Sequence, residues 1–178
     1  MKDLQLELFK DLTRVRVPHS KVHFYHIGKC KQSNYTDDFI GISDGHFIKF
    51  IYEPSFYIDL NAAKNSINNV VANIELDMQK ILDNVSSSET QETEITNEII
   101  VDEKNPKLKM RVFHTKETNE KVYINTRFLD YFDLVGVRFI STISSHKRLS
   151  YNQPIIIMRG DIVEGYILPI NKLGNNIW

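Results

Sequence analysis

The run Asn152 to Asn171, NQPIIIMRGDIVEGYILPIN, constrains the fold more than any other part of the chain. Two apolar stretches flank Arg159-Gly160-Asp161, an arrangement that reads as two strands closed by a turn, with Gly160 or Asp161 supplying the unusual backbone angle. One buried-edge segment, Tyr166-Ile167-Leu168-Pro169-Ile170, then ends the fold. Upstream, Val122 to Asp133 (VYINTRFLDYFD) reads as a strand, an Asn cap and a short helix, with a few strand-like residues between the two segments.

The rest of the chain alternates between the same two kinds of element. Leu4, Leu8, Leu12 and Val15 recur at helical spacing, with Asp3, Glu7, Lys10 and Arg14 on the other side, so a first helix is expected from Leu4 to about Arg16, ended by Pro18. Val22 to Ile27 alternates as a strand, and Asn34 to Asp38 is a polar connection. Phe39 to Ser43 and His46 to Tyr52 are two strands separated by Asp44-Gly45, a pair that signals a hairpin with a type I′ turn. Phe56 to Leu60 is a further strand. Asn61 is placed to cap a long helix reaching Asn84, whose apolar face is Ile67, Val70, Val71, Ile74, Met78, Ile81 and Leu82. Ser86 to Asn97 (SSSETQETEITN) has little to bury and is expected to be a mobile acidic loop. Strands resume at Glu98 to Val101 and Leu108 to His114, with turns at Asn105-Pro106 and Lys116 to Glu120. Helix and strand recur in a similar rhythm in Leu4 to Tyr52 and Tyr57 to Ile170, which hints at an internal duplication.

Composition narrows the function classes. A chain of 178 residues is enough for one domain, or one and a half small ones, and a 42% hydrophobic content allows a real core. The net charge of −1 offers no electrostatic footprint for a tight, sequence-specific nucleic-acid binder. The single cysteine, Cys30, leaves no intrachain disulfide and no cysteine-based zinc site, which suits a reducing cytosol and predicts a cytoplasmic protein. No apolar run approaches the roughly 20 residues of a membrane span, and no signal-peptide core is seen, so no membrane partner is expected.

Catalytic and metal chemistry find little support. His19, His23 and His26 cluster, but on a strand His23 and His26 point to opposite faces, so a shared metal would need a broken strand. Ser43, Asp44 and His46 are the residue types of a hydrolase, yet they fall in one tight turn, whereas a triad draws its members from separate loops. Gly-rich phosphate loops, Walker lysines and His-Glu-x-x-His motifs are absent from the sequence. The expectation is a protein with no enzymatic activity, no catalytic residue, no metal and no cofactor.

Three segments resemble the bacterial DNA sliding clamps, the processivity β subunits of the replicative polymerase. Ser43-Asp44-Gly45-His46 is similar to that family's Thr-Asp-Gly-His hairpin. KVYINTRFLDYFD resembles its strand and helix, with Ile124-Asn125 at the strand end and Phe128, Leu129 and Phe132 on the helix. QPIIIMRGDIVEGYILPIN resembles its terminal hairpin and apolar-Pro-apolar triplet. Two positions depart from the family: Phe47 stands where Arg is usual, and Asn171 where a basic residue commonly follows the triplet.

The resemblance implies an α+β, clamp-like single domain over residues 1–178, with helices packed on one face of antiparallel sheets. It also implies a processivity factor, a homo-oligomer if it forms a ring, and one that a phage or mobile element could encode. Its peptide-binding residues would be Ser43, Gly45, His46 and Ile48 on the hairpin side and Leu168, Pro169 and Ile170 on the terminal side. They would receive a short peptide from a polymerase or another replication protein. Double-stranded DNA would be touched weakly and without sequence preference by Lys10, Arg14, Lys64, Asn68, Lys80 and Arg127. A second resemblance runs the other way. Gln5-Leu6-Glu7-Leu8-Phe9 is similar to the peptide by which polymerases bind such clamps, Gln-Leu-Ser/Asp-Leu-Phe, with Leu8 and Phe9 as apolar anchors and Gln5 at the pocket mouth. That alternative is an adaptor or inhibitor docking on a host clamp. Leu8 also belongs to the apolar stripe of the first helix, and the core reading is preferred.

Overall fold

The computed structural model describes residues 26–32, 39–52, 78–86, 89–142 and 154–170. The chain divides into two compact units, Met1–Ser87 and Ser88–Trp178. Among the described residues it is mostly antiparallel sheet with few helices, an α+β composition at the coarse level.

In the first unit, β1 (His26–Cys30), β2 (Phe39–Ser43) and β3 (Phe47–Ile51) form an antiparallel meander. Every residue of β2 and β3 is buried. Phe39 packs edge-on against Phe50 at 5.1 Å and lies 4.9 Å from the Tyr52 ring. Helix α1 (Met78–Ser86) buries Leu82 and half-buries Ile81, in keeping with the expected apolar stripe. Its Gln79 amide completes the backbone pairing of Lys31, accepting from the N–H at 2.7 Å and donating to the carbonyl at 3.0 Å. The expected first helix, the strand at Phe56 to Leu60 and the Asn61 cap lie outside the described residues, as do residues 22–25 of the first strand.

The Asp44-Gly45 hairpin forms, but its turn is not type I′. The strands stop at Ser43 and Phe47, leaving a three-residue loop, and of those three only Gly45 has a positive φ (+91°). The reason is chemical: Asp44 Oδ1 accepts from the N–H of His46 (2.8 Å) and of Phe47 (3.1 Å), a side-chain mimic of a backbone turn. Ser43 Oγ closes the other side, accepting from Gly45 N–H at 3.0 Å and donating to the Phe47 carbonyl at 2.7 Å.

The second unit contains two antiparallel meanders. One is β4 (Thr90–Val101), β5 (Lys109–Thr115) and β6 (Lys121–Asn125); the other is β7 (Arg138–Thr142), β8 (Ile155–Arg159) and β9 (Ile162–Ile167). They join where β7 pairs with Thr90–Thr93 of β4, giving the order β9-β8-β7-β4-β5-β6. Asn125 caps α2 (Thr126–Leu129), its side chain accepting from Arg127 N–H at 3.0 Å, as its position in the sequence predicts. At the β8–β9 turn the positive φ falls on Gly160 (+61°) and not on Asp161, the φ signature of a type II′ turn.

Within the expected loop, Thr90 to Asn97 is strand. Ser86 ends α1, and Thr90 onward is strand β4, continuous through the expected Glu98–Val101 strand, with a bulge between Ile95 and Ile99. Its polar composition misleads because β4 is held from both sides at its start, and Gln91 and Thr93 alternate inward while Glu92 and Glu94 face out.

The register places Phe113, Val122, Ile124, Phe139, Ile155, Ile157 and Ile167 on one face of the sheet, and all are buried. Phe113 and Phe139 meet edge-on at 5.0 Å across β4. The same face carries a polar layer of Gln91, Thr93, Thr115 and Ser141, in which Thr93 Oγ1 bonds Ser141 Oγ at 3.1 Å. Gln91 is 3% exposed, and neither end of its side-chain amide has a hydrogen-bond partner among the described residues. A buried amide left unsatisfied costs about 1–3 kcal/mol. Gln91→Met, which keeps the volume and removes both polar atoms, is therefore expected to stabilise the fold by about that amount. Urea unfolding checks it; an unchanged or lower midpoint would mean that Gln91 is satisfied in solution.

Candidate peptide-binding site

The seven residues expected to bind a peptide fall into the two units, four in the first and three in the second. On the hairpin side, Ser43 is 1% exposed and its hydroxyl is committed to the turn. Gly45 is exposed at the tip, and His46 keeps 45% of its side-chain surface, with Nδ1 3.9 Å from Asp44 Oδ1. Ile48 pairs with Ser43 and is 7% exposed, so its side chain belongs to the core. Phe47, at the position where the resembled family carries Arg, is buried at 2% exposure. A cation there would have to be paired in the interior.

On the terminal side, the chain leaves β9 at Ile167, and Ile170 N–H donates to the Tyr123 carbonyl of β6 at 2.8 Å. This bond fixes the triplet against the strand that leads into α2. Pro169 is buried, while Leu168 and Ile170 are half-buried. Tyr123, itself half-buried, is the neighbour that reading the sequence did not name; its alternation with the buried Val122 and Ile124 was the available signal.

The DNA-contact candidates within the described residues are Lys80 on α1 and Arg127 on α2, both exposed. Lys10, Arg14, Lys64 and Asn68 lie outside the described residues, as do Gln5, Leu6, Leu8 and Phe9. Elsewhere in the second unit, three exposed cations face carboxylates. Lys116 Nζ sits 2.7 Å from Glu92 and 3.3 Å from Glu94, Lys121 3.2 Å from Glu98, and Arg138 3.9 Å from Glu92. The Lys116 hydrogen bond and charge hold the Glu92 carboxyl below its usual range, and the same contacts raise Lys116. A phosphate approaching this face would compete with bonds already made, which limits its pull on DNA.

The Arg159-Gly160-Asp161 tripeptide has an internal use for its arginine. Arg159 pairs with the Glu164 carboxylate across the hairpin and donates to the carbonyls of Val135 and, at 3.0 Å, Asp133. The hydrogen bond it donates to Glu164, more than any other contact, raises the guanidinium pKa further. Arg138 reciprocates, donating to the Gly160 carbonyl at 3.0 Å. The loop before β7 and the β8–β9 turn are thus clasped by two arginines. Gly136 in that loop has φ +70°, and a side chain there would lie 3.6 Å from Arg159 Nη1. Because the Arg159 side chain is 40% exposed, its loss is screened. Arg159→Met is expected to cost only about 1–2 kcal/mol, read as a lower melting midpoint. Arg159→Lys should recover little of it, since an ammonium cannot span carboxylate and carbonyls at once.

Among the described residues no group of His, Cys, Asp and Glu side chains is arranged to hold a metal ion. No helix among them is long and apolar enough to cross a membrane. No protein-family model matches the chain, and neither does any curated protein or solved structure.

Proposed function

We propose that this chain is a sliding-clamp-like, non-enzymatic accessory of DNA replication. In this reading it acts in the cytoplasm as a homo-oligomer, captures short peptides of a polymerase or other replication protein, and contacts double-stranded DNA loosely. The finer fold assignment, a clamp-like domain with helices backing antiparallel sheets, belongs to the same proposal. The observation that carries it is the terminal triplet. Its backbone is anchored by Ile170 to Tyr123 and Pro169 is buried, yet Leu168 and Ile170 keep part of their apolar surface exposed. A fixed, partly open apolar edge is what the Leu-Phe end of an extended peptide needs, because a few apolar anchors supply most of such binding energy.

Two measurements test it together. The mass in solution at several concentrations reports assembly, and a chain that stays monomeric throughout cannot encircle DNA. Binding of a Gln-Leu-Asp-Leu-Phe peptide reports the site. Ile170→Asp places a carboxylate in an apolar contact, and burying it unpaired costs several kcal/mol, so peptide affinity is expected to fall by at least about tenfold. A melt beside it separates lost binding from lost folding. Unchanged affinity and unchanged mass in a folded variant would remove Leu168 to Ile170 as the site.

A further inference from the structure

We draw no further inference here: the strongest candidate, the row of exposed aliphatic side chains Ile95, Ile99 and Val101 on β4 beyond the residues that pair with β7, sits on a strand interrupted by a bulge, and nothing in the structure shows what covers it.

Discussion

Phe113→Ala is expected to lower the stability of the protein by about 3–5 kcal/mol, the range for truncating a buried aromatic ring. Phe113 is fully buried, and its ring meets Phe139 edge-on at 5.0 Å, so the substitution removes both the transferred area and an oriented ring pair. The pair itself can be isolated. A cycle of Phe113→Ala, Phe139→Ala and the double variant should give a coupling of about 0.5–1.5 kcal/mol. Chemical denaturation read by fluorescence and by circular dichroism measures both quantities. A loss below about 1 kcal/mol would contradict the burial of Phe113 in a packed core, where such truncations cost several times more.

The double variant Leu8→Ala, Phe9→Ala is expected to lose several kcal/mol of stability, since each large-to-small core change costs about 2–5 kcal/mol. The ground is the helical spacing of Leu4, Leu8, Leu12 and Val15, which gives Leu8 a place on an apolar stripe. The adaptor reading requires the opposite. If Gln5 to Phe9 docks on a host clamp, both side chains must be accessible in the free protein. The double variant would then melt with the parent and lose capture by a bacterial clamp. A thermal melt beside a pull-down with a purified clamp therefore decides between a core helix and a docking peptide.

What could be read from the sequence was local chemistry. The hairpins at Asp44-Gly45 and Gly160, and the cap at Asn125, each depend on one or two residues with a restricted backbone or a short polar side chain, and all three formed. The details that were misread depend on groups the local pattern does not rank. Nothing in the Asp-Gly pair says that the Asp44 carboxylate will take two backbone N–H groups and widen the turn. Strand β4 was hidden because its inward residues, Gln91 and Thr93, are polar. Its partner β7 comes from far along the chain, as the Thr93–Ser141 bond across 48 positions shows.

The candidate site divides in the same way. The terminal triplet was recognisable as a motif, but its anchoring to Tyr123 is a tertiary contact that no window of sequence contains. In the sequence Arg159 belongs to a turn. Its role as a clasp depends on carbonyls 24 and 26 positions away.

The strand order of the second unit has a consequence for how that unit assembles. Within each meander a strand pairs with the next one along the chain, and the turns at Lys116–Glu120 and Gly160-Asp161 are short, so those ladders close at little cost in chain entropy. The seam between β4 and β7 is different. It unites segments whose Thr93 and Ser141 are 48 residues apart, and its backbone ladder runs only from Thr90 to Thr93 against Phe139 to Thr142. Loop closure must come before that ladder can repay it. The two halves of the unit are therefore joined by a short non-local seam, by the side chains that cross it, Phe113 on Phe139 and Thr93 on Ser141, and by the bond from Ile170 to Tyr123.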